Sequence, residues 1–257
     1  MIIMDNIFNL QLAVGILISL GAGYVGSFMV LRRMSLVGDA LSHVALPGIA
    51  VSILLNINPF FGAFAALFLA IVLIWFLEKR TELPSETLVG IMFTLSLALG
   101  LLLTPEPELL EALFGDISQV VLADFVITLT ATIGIFLTMK KISEKLMLGI
   151  ISKEMAQANK IPIHKINFIF LLLVAIVVAL GLKVVGTLLM GSLVIIPAAA
   201  AKNTSVSLAQ YTKLAMIFSV LSTVFGLFAS NYLGIQSGPT IVLAAGIIFL
   251  GTLVFRR

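Results

Sequence analysis
Nine stretches of this chain run for roughly the length of a bilayer crossing with almost no charge: 7–31, 34–55, 59–77, 87–104, 117–139, 163–182, 184–201, 210–231 and 238–255. A bilayer core about 30 Å thick needs roughly 20 apolar residues per helix. Lipid offers no partner for a backbone N–H or C=O, so segments of this kind form helices. Hydrophobic residues make up 61% of the chain and charged residues only 11%, against about 45–50% and 25% in soluble domains. A water-soluble domain, a disordered chain and a nucleic-acid reader are thereby excluded. The chain has no cysteine, which removes disulfides, redox pairs and thiolate metal sites. The expected fold is an all-α polytopic membrane protein of eight to nine transmembrane helices, with residues 1–257 forming one domain.

Most charged residues fall in the breaks between these stretches, with Asp39, Asp124, Lys165 and Lys213 the exceptions. If the N-terminus lies outside and there are nine crossings, Arg32, Arg33, Lys79, Arg80, Lys140, Lys141, Lys145, Lys153, Lys160, Lys165, Lys202, Lys213, Arg256 and Arg257 all fall inside. Lys183 alone among the 15 basic residues falls outside. The outer loop before the fifth stretch carries Glu106, Glu108, Glu111 and Asp116 instead. Basic residues concentrate on the cytoplasmic side, so this split favours N-out and C-in. If 184–201 only dips into the membrane, the count falls to eight.

Inside the second stretch stand Asp39 and His43, followed by Pro47-Gly48. A carboxylate at mid-membrane costs about 2.5–3.5 kcal/mol and is kept beside a partner, a cavity or a substrate path. A spacing of four puts both side chains on one helix face. A carboxylate and a neutral imidazole there supply two ligands for a divalent cation, short of the four or more that zinc or manganese takes. The same pair could instead be an ion pair that only ties helices together. Pro47-Gly48 can interrupt the helix one turn further on.

Other patterns carry less chemistry. Gly21-Ala-Gly23-Tyr-Val-Gly26 matches a dinucleotide fingerprint but lies within an apolar span with no preceding strand, so close helix packing explains it better. Gly186 to Ser192 resembles a phosphate loop lacking its lysine, and with Pro197 suits tight contacts and a kink. Val37-Gly38-Asp39 falls one glycine short of an intramembrane aspartyl protease motif, and the other candidate aspartate, Asp124, lies near the outer end of the fifth stretch instead of deep within a span. No catalytic residue is assigned, and no enzyme is expected.

Residues 140–165 form the longest inner loop. Within it Ser152 can cap a short helix over 153–158, Glu154 suits the first turn, Asn159 can take a left-handed exit, and Pro162 prevents continuation. Ile151 and Met155 share one side. Such a helix suits a socket in a partner protein; a basic loop on anionic lipid is the alternative.

The run GSFMVLRRMSLVGDALSHVALPGIA resembles the signature of the permease subunits of bacterial ABC importers for zinc, manganese and iron. VVGTLLMGSLVIIPAAAA and SGPTIVL resemble that family's later blocks, in order. The resemblance implies a type II ABC importer-like permease in a prokaryotic plasma (inner) membrane, acting as a homodimer. It further implies cytoplasmic ATP-binding cassette ATPase subunits and an extracytoplasmic metal-binding protein. Asp39 and His43 then match the metal-coordinating residues. Ser152, Glu154, Met155, Ala156 and Asn159 fall on the segment that couples to the ATPase. The family commonly has alanine followed three residues later by glycine, where this chain has Ala156 and Asn159. Zinc, manganese or iron would be the transported substrate, with no permanently bound cofactor. A stand-alone secondary transporter or channel, with Asp39 as a cation or proton relay, is the alternative.

Overall fold
The first apolar stretch becomes one long helix, α1 (Ile2–Leu31), in a computed structural model that describes residues 2–81, 83–103, 117, 120–187 and 189–254. Its glycines are contact points. A Cβ at Gly23 would strike the Ala215 carbonyl, and one at Gly26 the Val194 carbonyl. The fingerprint-like run therefore serves packing, as small residues do where membrane helices approach closely. The helix ends with Arg33 at φ 59°, and the Met34 N–H reaches back to the Met29 carbonyl at 2.9 Å. This is a left-handed closure seating a non-glycine residue.

The second stretch is two helices, α2 (Ser35–Val44) and α3 (Leu46–Leu54). Pro47 stands in the first turn of α3; without an N–H it cannot donate to the His43 carbonyl, and the helix breaks there. Asn56 closes α3 at φ 55°. Asn58 then caps α4 (Pro59–Arg80), its side chain accepting from the Phe60 N–H at 3.0 Å, and Pro59 takes the first helical position. Next come α5 (Ser85–Leu103) and α6 (Leu122–Ile151). The short α7 (Lys153–Ala158) precedes α8 (Ile163–Val185) and α9 (Met190–Thr204). The last two are α10 (Leu208–Leu233) and α11 (Ser237–Leu253).

Each predicted stretch thus contains a helix, and among the described residues seven spans have the length and apolarity to cross a membrane. α11 is apolar but shorter, and the 15 residues of α9 reach only about 22 Å at 1.5 Å per residue. Three boundaries differ from expectation. The inner loop begins as helix, because α6 continues through Lys140, Lys141 and Lys145 to Ile151; Lys, Glu, Leu and Met are good helix formers whether or not lipid surrounds them. Glu78, Lys79 and Arg80 likewise belong to α4. Lys183 does not break the chain, since α8 runs to Val185 and ends at Gly186, whose φ of 79° suits glycine. The outer acidic loop residues Glu106, Glu108, Glu111 and Asp116 lie outside the described residues.

Among the seven spans, α1, α8 and the α2–α3 pair are the most enclosed, and α9 is largely buried as well. α10, α9 and α6 pack against α1, while α5 and α9 flank α2. α4, α5 and α6 expose Leu69, Leu95, Leu102 and Leu137, as expected of faces turned to lipid.

Candidate functional site
α2 carries Asp39 and His43, and its neighbours determine what surrounds them. Asp39 is half-buried. His43 is 9% exposed, with its ring set edge-to-face against Phe93 of α5 at 5.4 Å. Its Nδ1 is enclosed and has no hydrogen-bond partner among the described residues. Proximity on one face, expected from the spacing of four, is what a single uninterrupted α2 provides.

On the other flank, α9 approaches α2 with no side chain between them. A Cβ at Gly191 would lie 2.6 Å from Asp39 Cβ and 2.9 Å from its Cα. Ser42, fully buried, holds this junction: its Oγ lies 2.7 Å from the Asp39 carbonyl and 2.6 Å from that of Thr187. The hydroxyl has one proton to share between two acceptors. Thr187 belongs to the non-helical link between α8 and α9, and its own Oγ1 is buried with no partner among the described residues. Ser237, at the start of α11, donates to the Val184 carbonyl at 3.0 Å. Irregular backbone at membrane depth has to be satisfied by protein, and these two serines satisfy it here. The sequence marks the run containing Thr187 and Gly191 for tight contacts, but not that Ser42 and Asp39 receive them or that Phe93 faces His43, because these partners are remote in the chain.

No group of three or more His, Cys, Asp or Glu side chains comes together among the described residues. His164, at the start of α8, stands apart from the pair. Asp39 and His43 can therefore offer a cation one carboxylate and one imidazole. Further ligands would be water, backbone or another chain.

The candidate helix α7 is formed as the sequence suggests. Ser152 caps α7: its Oγ accepts from the Met155 N–H at 3.1 Å and donates to Glu154 Oε2 at 2.8 Å. Ala156 is fully buried, whereas Ile151 and Met155 are exposed. One detail differs. Asn159 has φ −82°, and the left-handed residue is Lys160 at φ 55°, with the Ile161 N–H returning to the Ala156 carbonyl at 2.9 Å. Asn159 instead donates from Nδ2 to the Met155 carbonyl at 2.8 Å. The helix needs one more residue before it can close.

The fold is a polytopic helical bundle of the membrane-permease class, with a carboxylate and an imidazole on one helix and a short capped helix between α6 and α8. The chain belongs to the ABC 3 transport family, whose profile matches residues 4–256. It is similar to the high-affinity zinc uptake system membrane protein ZnuB of Haemophilus influenzae, 35% identical over 252 residues and 96% of each chain. It is also similar to the manganese import system permease protein ScaB of Streptococcus gordonii, at 34% identity over 93% of this chain and 87% of that one. Among solved structures, PsaBC from Streptococcus pneumoniae in complex with Fab matches with a TM-score of 0.82 and 32% identity, over 94% of this chain and 89% of that chain. The protein is thus a multi-pass permease subunit of an ABC transport system, not an enzyme. ATP hydrolysis in such systems belongs to a separate subunit.

Proposed function
We propose that the protein is the membrane subunit of an importer that carries a divalent transition metal, zinc or manganese foremost, past Asp39 and His43. The observation that carries this reading is the Asp39/His43 pair, held on one face of α2 and braced by α9 through Gly191 and Ser42. The names of its relatives, which specify zinc or manganese, support the cargo. A carboxylate and an imidazole suit Zn²⁺, Mn²⁺ or Fe²⁺ and disfavour ions selected by thiolates. With one ligand of each type per chain, a homodimer bringing two pairs together would supply four.

In this reading all of 1–257 is one transmembrane domain, N-terminus outside and C-terminus inside, as the distribution of basic residues favours. A metal-binding protein delivers the ion from outside. ATPase subunits dock on α7, with Ser152 and Glu154 setting its first turn and Met155 offering an apolar knob. Ala156 packs it against the permease, and Asn159 holds its last turn. Closure of the ATPases would tilt α6 and α8, which flank α7, and switch access to the Asp39/His43 face; nucleotide state thereby biases two arrangements of the same bundle.

The test is uptake by cells lacking other metal importers and expressing the permease with its ATPase and binding protein. Zinc, manganese and iron are offered singly and in competition. Accumulation of zinc or manganese that is lost in Asp39→Asn is expected. Uptake that persists without the ATPase would favour a stand-alone transporter.

A further inference from the structure
Arg32 leaves the end of α1 and turns inward instead of toward water. Its Nη2 donates to Asn167 Oδ1 of α8 at 2.7 Å. Its guanidinium lies 5.2 Å from the centre of the Phe170 ring, one turn further along α8, and that ring is fully buried. Asn167 passes the contact on, donating from Nδ2 to Glu78 Oε1 of α4 at 3.4 Å. The same oxygen accepts from Ser85 Oγ, at the head of α5, at 2.9 Å. Burial draws the Arg32 guanidinium below its ordinary pKa, and Glu78 pulls in the opposite direction. A cation and an anion are thus joined through a neutral amide that belongs to a third helix. If α8 moves, both halves of the bridge break together.

Where this bridge lies gives it a purpose. Arg32 is separated from α2, the helix of Asp39 and His43, only by Arg33 and Met34. Asn167 sits in the second turn of α8, just beyond α7 and Pro162. A cavity of about 600 Å³ opens beside the bridge, lined by Arg33 and Met34 on one side and by Lys145, Gly149 and Ile163 on the other. Its walls are the α1–α2 turn, the α4–α5 link with Pro84 and Glu86, and the two segments flanking α7, and its volume gives their ends room to move. We propose that the Arg32–Asn167–Glu78 bridge is the coupling element that conveys displacement of α7 to the metal-bearing helix, and that it opens and re-forms in every transport cycle. This rests on the transport function proposed above.

The experiment uses the complete complex of permease, ATPase and binding protein in proteoliposomes and reads zinc or manganese ions moved per ATP hydrolysed. Asn167→Asp keeps the acceptor for Arg32 but sets two carboxylates face to face. Asn167→Leu removes both hydrogen bonds. Each should lower the ratio about tenfold, the scale of one lost hydrogen bond to a charged group, while ATPase association persists. Adding Glu78→Gln to Asn167→Asp replaces the α4 carboxylate by an amide that can donate to the new carboxylate on α8. One anion then remains beside Arg32, so coupling should return to within about twofold of normal. A brace that only stabilises the fold would lower assembly, transport and hydrolysis together, and that result, or an unchanged ratio in both single variants, overturns the proposal. Because the chain has no cysteine, Asn167→Cys with Glu78→Cys can also be joined by a short cleavable thiol crosslinker. Transport by this double variant, already lowered by loss of the bridge, should stop on crosslinking and return to the double variant's own level on reduction; transport unchanged by crosslinking overturns the opening step. Absence of ATP-driven metal transport in the unmodified complex would instead overturn the transport function itself, so the two failures are distinct.

Discussion
Gly191→Ala adds one methyl group where α9 meets the metal-bearing helix. The new Cβ would lie 2.6 Å from Asp39 Cβ, 2.9 Å from its Cα and 3.0 Å from its N. Ordinary carbon contacts are about 3.5–4.0 Å, so α2 and α9 must separate locally by roughly 1 Å. None of the three atoms is the end of a flexible side chain, and the backbone has to yield. Overpacking of this kind costs about 1–3 kcal/mol, which a well-buried bundle can tolerate. The site cannot tolerate it equally, since metal–ligand distances are held within about 0.2 Å. Losses of about 10–100-fold accompany disturbed support of a metal ligand, and apparent affinity for the transported ion should fall by at least the lower figure. The assay is zinc or manganese uptake against ion concentration, with thermal unfolding of the purified permease measured in parallel. Gly134→Ala on α6 is the control, because a Cβ there meets nothing within 4 Å. A Gly191→Ala permease with native affinity and transport rate would show that the α2–α9 contact does not position Asp39.

Asp39→Asn and His43→Ala should each abolish uptake while the protein still reaches the membrane and binds its ATPase. Since protons compete with the cation for the imidazole, uptake by the native protein should weaken as pH falls; a flat profile would remove His43 from the ligand set. Ala156→Pro should melt α7, at a cost of about 3 kcal/mol within it, and abolish ATPase association in pull-down while metal binding persists. Ser152→Ala should cost about 1 kcal/mol of capping and weaken the same association more mildly. Single cysteines at Glu108 and Ser152 should react with impermeant thiol reagents from opposite sides of the membrane. Labelling of both from outside would refute the N-out arrangement.

The spans were legible because the bilayer imposes a length and a hydropathy that can be counted residue by residue. α7 was legible for a different reason: Ser152, Glu154 and Pro162 act through bonds to residues a few positions away, so local chemistry decides where the helix starts. Prediction weakened where charge was read as a break. Lys140 to Ile151 continues α6, and Lys183 lies within α8, because a charged residue ends a membrane crossing without ending a helix. Propensity gives Asn159 the left-handed seat, yet Lys160 holds it, the closing bond from Ile161 to Ala156 fixing the position. The surroundings of Asp39 and His43 were illegible. Ser42 meets Thr187, and Gly191 meets Asp39, across sequence separations that no local pattern encodes. Arg32 illustrates the same limit: the sequence marks it as an inside charge, and only the fold reveals that Asn167, Phe170 and Glu78 receive it.

X-ray absorption at the zinc or manganese edge, recorded on the permease–ATPase complex loaded with one of these ions, tests most directly whether Asp39 and His43 hold the cargo. Nitrogen and oxygen ligands are expected, at about 2.0–2.2 Å for zinc, with the outer-shell scattering of an imidazole that disappears in His43→Ala. An imidazole signal that survives His43→Ala, or a native spectrum of oxygen ligands alone, would contradict that expectation.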